Sequence, residues 1–318
     1  MKLNPSALGK SIHNVLSYSF DENGSVHFHR FSQEQRKIYA LESQDWLIKT
    51  QSSASVTLDF VTDSRFITLK FDLFPGSSQK WGSIDLYVDG VFYDNRYAGD
   101  LSIKLAGFAL PEGQHRVTVY FPWSAQTVLH EVHLSDGASV IPVEKKCKLL
   151  CFGDSITQGY LSQFSSMSYV NQTARALDME VVNQGIGGYY FNEATLDESI
   201  LAYTPDIITV AYGTNDYSKY ETAEEYAAHS GAYIRKLAKL FPKAKLVGIL
   251  PIYRNDENHR VRKLYRSYSL DDVRAILRSQ YLGVGGCVVE QTGIPHIPQA
   301  YAPDYLHPNE FGFSIMAQ

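Results

Sequence analysis

The sequence predicts an α/β protein in two parts, an antiparallel β-sandwich followed by a parallel sheet with helices on both faces. Two observations lead there. The first is a change of hydrophobic period. From about residue 17 to 137 apolar residues alternate over short runs broken by turn residues, with no helical period over a useful length. After residue 146 short apolar runs alternate with longer amphipathic stretches, the mark of a sheet wound through helices. The second is length: 318 residues exceed one comfortable core and suit two domains of ordinary size. The boundaries read as 1–140 for the sandwich and 146–318 for the α/β part.

In the first part, Ser55–Val61 and Phe66–Leu73 alternate as strands do, and Ile84–Val88 runs into Asp89-Gly90, a hairpin signal. Ser102–Leu105, His115–Phe121 and Val128–Leu134 complete the predicted strands. Residues 138 to 146 form a connector with no period, one proline and a charged end. It is short and not Gly/Ser-rich, so the sandwich is expected to border whatever site the second part carries. In the second part, residues 148 to 152 are a buried strand, Tyr169–Leu177 a helix and Glu180–Asn183 a strand. Ile207–Tyr212 is a branched strand and Thr222–Phe241 a long amphipathic helix. Lys245–Ile252, Leu270–Tyr281 and Gly283–Val289 read as strand, helix and last strand.

Composition narrows the class. Hydrophobic residues at 44% and charged residues at 20% belong to a folded chain, and a net charge of -5 argues against a nucleic-acid partner. Met1–Leu8 lacks the apolar core of a signal peptide, and no segment approaches a membrane span. A cytoplasmic location is the default expectation, or a secreted one if a signal peptide has been removed. Cys147, Cys151 and Cys287 have neither the number for a disulfide framework nor metal-ligand spacing, so no metal is expected. Tyr-rich surfaces often serve flat polar ligands such as sugars, although the 22 tyrosines are also good strand formers.

The chemistry sits at predicted strand ends, where open parallel sheets bind ligands. Gly153-Asp154-Ser155-Ile156-Thr157-Gln158-Gly159 follows the first strand: glycines for a tight turn, a helix cap, and a serine hydroxyl held beside unpaired helix N–H groups. Alone, such a turn is more often a cap than a nucleophile. Three further pieces follow in order. Asn183-Gln184-Gly185-Ile186-Gly187-Gly188 ends the second strand, where glycines let backbone N–H groups approach a ligand. Gly213-Thr214-Asn215-Asp216 ends the third and puts an amide at the same edge. Asp304 stands three residues before His307, so its carboxylate can reach the imidazole. Nucleophile, base, orienter and oxyanion donors make the parts for acyl transfer.

These four blocks, in order, resemble the SGNH (GDSL) hydrolase superfamily over roughly residues 147 to 318. The resemblance implies a flavodoxin-like, three-layer α/β/α hydrolase fold. It implies Ser155 as nucleophile, His307 as general base and then acid, and Asp304 as the holder of the imidazole tautomer. It implies an oxyanion hole of the Ser155 and Gly188 backbone N–H groups and the Asn215 side-chain amide, with no cofactor. The leading sandwich, jelly-roll-like, is similar to the layout of acetyl-xylan-esterase-type carbohydrate esterases. The implied activity is a serine esterase removing a short acyl group, acetyl first, from a small-molecule or oligosaccharide ester. A lipase or acyl-thioesterase of the same superfamily, or a carbohydrate-binding protein with a vestigial hydrolase part, are the alternatives. In one departure, only Glu310–Gln318 follow Pro308-Asn309, where relatives carry a longer terminal helix.

Other candidates carry less. His13, His27, His29, His130 and His133 have no acid or serine at motif spacing, and His296 lies nearer the last block. Asp216 reads as a cap rather than an acid catalyst. Tyr189, Tyr190, Phe191, Tyr212 and Tyr217 either line a pocket or pack on the sheet. Arg254, His259, Arg260, Arg262, Lys263 and Arg266 read as a solvated loop and helix face, with an anion site as the rival reading. Trp81 and Trp123, near predicted strand ends, are candidates for a sugar platform.

Overall fold

The computed structural model describes residues 1–254, 267–291, 294 and 297–318. Alternation in the first part builds two facing antiparallel sheets. One runs Ile12–His13, Thr57–Thr62, His115–Tyr120, Gly82–Val88 and Val91–Ala98, with Ile141–Pro142 also pairing on Thr57–Thr62. The other runs Ser17–Phe20, Val26–His29, Ala125–Leu134, Phe66–Pro75 and Leu105–Ala109. Leu58, Phe60, Ile84, Leu86, Val117 and Val119 of the first meet Ile67, Leu69, Phe71, Leu129 and Val132 of the second in one core. The Asp89-Gly90 hairpin forms with both residues at positive φ, 50° and 80°, as a type I′ turn requires.

The structure corrects three expectations here. Helices Gln33–Glu42 and Gln44–Thr50 stand where no helical period was legible. They are too short for a period to register, and the first buries Gln35 and Tyr39 rather than an apolar stripe. Local capping starts them: Ser32 and Gln35 form a reciprocal capping box, and Ser43 caps the second helix. The strand expected at Ser102–Leu105 begins only at Leu105, because the Asp100 carboxylate takes the Ser102 N–H at 2.9 Å and turns the chain. The connector is not bare, since Ile141–Pro142 adds an edge strand to the sandwich.

The second part is a five-stranded parallel sheet, ordered Met179–Gly185, Cys147–Gly153, Ile207–Ala211, Lys245–Ile249, Cys287–Val289. In chain order that is 2-1-3-4-5, the flavodoxin-like arrangement. Alternate residues of the first strand serve opposite layers, which is why it reads as continuously apolar. Leu150 and Phe152 join Tyr233, Leu237, Leu277 and Tyr281 on one face. Leu149 and Cys151 join Tyr169, Val170, Phe313 and Met316 on the other. The helices Ala223–Leu240 and Leu270–Gly283 each begin at a capping box, Thr222 with Glu225 and Ser269 with Asp272. Among the described residues no helix is long and apolar enough to cross a membrane.

The two parts share polar and apolar contacts. Phe31 and Tyr39, from the sandwich side, belong to the core of the parallel sheet. The Arg30 guanidinium, 1% exposed, donates to Asn183 O, to Gly185 O at 3.3 Å, to Lys49 O at 2.9 Å and to Ser52 O and Oγ at 2.6 and 2.7 Å. Burial drags its pKa down to about 9.

Candidate active site

Strand register aligns the site. Gly153, the last residue of the first strand, pairs with Gly185 on one side and Ala211 on the other, so three chain ends leave the sheet together. Asp154 then caps a single helical turn, Ser155–Gln158, which ends at Gly159 with φ 98°. Ser155 is the first residue of that turn, so its N–H has no intrahelical acceptor. Its Oγ lies 2.7 Å from His307 Nε2, and His307 Nδ1 lies 2.6 Å from Asp304 Oδ2. The other Asp304 oxygen accepts the Leu306 and His307 backbone N–H groups, both at 3.0 Å, and Tyr305 takes φ 52° inside this turn. One carboxylate therefore shapes the loop and orients the ring it carries.

Electrostatics favour a neutral His307. Burial lowers the His307 pKa, and the Asp304 carboxylate only partly offsets it, so the imidazole is neutral at pH 7. Burial pushes Asp304 the other way, upward, but hydrogen bonds from the His307 ring and from the His307 and Leu306 N–H groups outweigh it and hold the carboxyl below its ordinary range. Tyr160 leans on the His307 ring at 4.6 Å.

The expected oxyanion donors stand at the same edge. Gly188 occupies a corner of the turn Ile186–Tyr189, closed by Tyr189 N–H donating to Ile186 O at 3.1 Å, and takes φ 84°. Its neighbour is close to Ser155: a Cβ built on Gly187 would lie 3.7 Å from the Ser155 Cβ. Asn215, in the helix Thr214–Lys219, donates through Nδ2 to Tyr189 O at 2.9 Å, tying the third block to the second and leaving a second N–H on that amide.

Two buried acids next to these residues act as caps. Asp216 accepts the Phe191 and Gly213 N–H groups at 2.8 and 3.1 Å, and burial pushes it up to about 7. Asp154 accepts the Ile156 N–H at 2.9 Å and is also pushed up to about 7 by burial.

The remaining candidates separate cleanly. His13, His27, His29, His130 and His133 all find partners on or beside the sandwich: Glu180, Asp21, Ser19, Asp72 and Glu131 respectively. His296 and the 259–266 part of the basic cluster lie outside the described residues. Arg254 is not on a solvated face. It is 5% exposed and donates to Thr214 O at 2.7 Å, turned inward against the third block. Tyr189, Phe191, Tyr212 and Tyr217 are buried packing residues, while Tyr190 is half-buried with the Lys219 ammonium 3.8 Å from its ring centre. Tyr190 and Lys219 border a cavity of about 600 Å³. Trp123 is no sugar platform: it is 2% exposed, donates to Ser162 O at 2.6 Å and packs on Tyr160.

Three residues around the site had no signal in the sequence. Trp46 places its indole nitrogen 3.9 Å from where a Gly188 Cβ would stand. Lys49 donates to Gly187 O at 3.0 Å. Arg30 supports the strand beneath them. Gln158 was in view inside the first block, but its task was not: its Oε1 accepts the Gly187 N–H at 2.8 Å. Trp46, Lys49 and Arg30 come from the first part of the chain, which therefore borders the loop beside Ser155.

A serine, a histidine and an aspartate gathered at the carboxyl edge of a 2-1-3-4-5 parallel sheet define an SGNH-type hydrolase. Residues 151–315 match the GDSL-like Lipase/Acylhydrolase family, and the chain belongs to it. It is thus an enzyme of the carboxylic ester hydrolase class. No curated protein matches the chain. Among solved structures it is similar to a salicylyl-acyltransferase from a tetracycline biosynthetic pathway, at 18% identity and a TM-score of 0.81, covering 96% of this chain and 91% of that one. It is similar to a putative GDSL-like lipase from Bacteroides ovatus, at 18% identity and a TM-score of 0.76, covering 99% and 94%. A family two carbohydrate esterase from Clostridium thermocellum, solved in complex with cellohexaose, shares 14% identity with a TM-score of 0.67 over 96% and 95%. The shared fold takes in both parts of the chain.

Proposed function

We propose that the chain, organised as a sandwich over residues 1–140 with the edge strand Ile141–Pro142 added to it and a hydrolase domain over 146–318, is a serine esterase that removes acetyl or another short acyl group from a carbohydrate. The observation that carries it is the unbroken relay from Asp304 through His307 to Ser155, at 2.6 and 2.7 Å. Ser155 Oγ attacks the ester carbonyl as His307 Nε2 takes its proton, and Asp304 steadies the imidazolium that forms. The Ser155 and Gly188 N–H groups and the Asn215 amide receive the charge on the carbonyl oxygen. The intermediate collapses, the sugar oxygen leaves with the proton from His307, and water then repeats the sequence on the acyl-enzyme. A carbohydrate leaving group is supported by the two-part layout held in common with an esterase solved with cellohexaose. Trp46 and Tyr190, half-buried beside Gly188, offer aromatic surface of the kind sugars stack on.

The test is hydrolysis of a nitrophenyl ester series from acetyl upward and of acetylated oligosaccharides, with Ser155→Ala as control. The expected result is a maximum at acetyl and a loss of about 10⁴-fold or more in the variant. A maximum at long acyl chains would replace this reading with a lipase or thioesterase. A native protein that no fluorophosphonate labels would leave a carbohydrate-binding protein with a vestigial site.

A further inference from the structure

We propose that Lys49 is a positioning residue that sets the Gly187–Gly188 peptide and so aims the Gly188 N–H at the developing oxyanion. The inference rests on the esterase reading above and names a part of its machinery that lies outside residues 151–315. In a trans peptide the C=O and the following N–H point in opposite directions. Whatever holds the Gly187 carbonyl therefore decides where the Gly188 N–H points.

That peptide needs holding. It is the central unit of the turn Ile186–Tyr189, whose corner residues are both glycine. Type I and type II turns differ by a flip of this unit, and the positive φ of Gly188, 84°, is the type II state. Without a Cβ at either corner, little in the chain itself opposes the flip. The flipped state would do more than remove a donor. It would turn the Gly187 carbonyl oxygen toward the place where negative charge collects.

The Lys49 side chain answers this from the other part of the molecule. Its ammonium donates to Gly187 O at 3.0 Å and is anchored by Asp45 Oδ2 at 2.6 Å, one helical turn back. The Lys49 side chain is 12% exposed against 62% for Asp45, so the cation is enclosed on the loop rather than spread in solvent. Its backbone carbonyl is fixed in turn by Arg30, which also reaches Gly185 O. On the far side of Gly187, Gln158 Oε1 accepts the N–H at 2.8 Å, and Gln158 Nε2 is spent on Ser52 Oγ, Gly76 O and Trp123 O. Gln158 thus holds the peptide before Gly187 and Lys49 the one after it.

The experiment compares wild type, Lys49→Met, Lys49→Arg and Ser155→Ala on an acetyl ester. A boronic acid that adds to Ser155 as a tetrahedral anion serves as probe. Removing a whole oxyanion donor costs about 10²–10³ in kcat, so freeing its orientation should cost roughly 10–100-fold. In Lys49→Met kcat is expected to fall by that factor with KM within about threefold, since the donor acts on the charged state. Boronate affinity should fall in parallel, melting should move by no more than about 2–4 °C, and Lys49→Arg should recover most of the loss. A wild type without Ser155-dependent turnover overturns the esterase reading and this inference together. An active wild type matched by a folded Lys49→Met overturns the inference alone, as does a loss confined to KM. Should Lys49→Met fail to fold, Asp45→Asn is read instead: a lowered kcat supports the inference and an unchanged kcat overturns it.

Discussion

Arg30→Met tests how the two parts of the chain are joined. The guanidinium makes five hydrogen bonds, three to Lys49 O, Ser52 O and Ser52 Oγ and two to Asn183 O and Gly185 O, and no carboxylate pairs with it among them. Removing it strips the donor from three buried carbonyls, those of Ser52, Asn183 and Gly185, at about 1–3 kcal/mol for each left unsatisfied, or roughly 3–9 kcal/mol. One term opposes this. Burial drags the guanidinium pKa from 12.5 down to about 9, so the folded chain bears the cost of keeping this charge away from water. The carbonyls left bare outweigh that relief, and the variant should lose on the order of 2–5 kcal/mol. Urea unfolding followed by tryptophan fluorescence reads it, because Trp46, Trp81 and Trp123 all lie in the first part of the chain. Stability within about 1 kcal/mol of wild type would mean that burying the cation costs as much as its bonds return, and the argument would fail.

Two further outcomes are expected. Asn215→Ala should lower kcat by about 10²–10³, or roughly 2.7–4 kcal/mol, with little change in KM; an effect on KM alone would make Asn215 a substrate-binding residue only. The pH profile of kcat/KM should rise along an acid limb and level off, because His307 must be neutral to accept the Ser155 proton. Since burial holds its pKa below 6.5, activity is retained at pH 6.5 and lost as pH falls through the lowered value; an acid limb centred above 6.5 would contradict the buried, neutral imidazole.

The sequence alone determined the hydrolase family and the parallel sheet that carries its candidate site. Ser155, Gly188, Asn215, Asp304 and His307 could be singled out as candidates because each stands at a strand end or in a short loop, where a few adjacent residues encode the turn and the cap together. The parallel strands were legible because burial on both faces writes itself as an unbroken apolar run. What tertiary structure decided is the setting of the Gly187–Gly188 loop. Lys49 and Gly187 are 138 residues apart, and Arg30 reaches across 153 residues to Asn183. Hydrophobic period is local information and cannot report such pairs. The helices that bring Lys49 and Trp46 there are seven and ten residues long, held by the Ser32 and Ser43 caps and by packing of Tyr39 on Tyr189. The same limit left Trp123 open between a surface platform and the core and read Arg254 as a solvated cation, because whether a side chain is covered depends on which distant strand or loop folds over it.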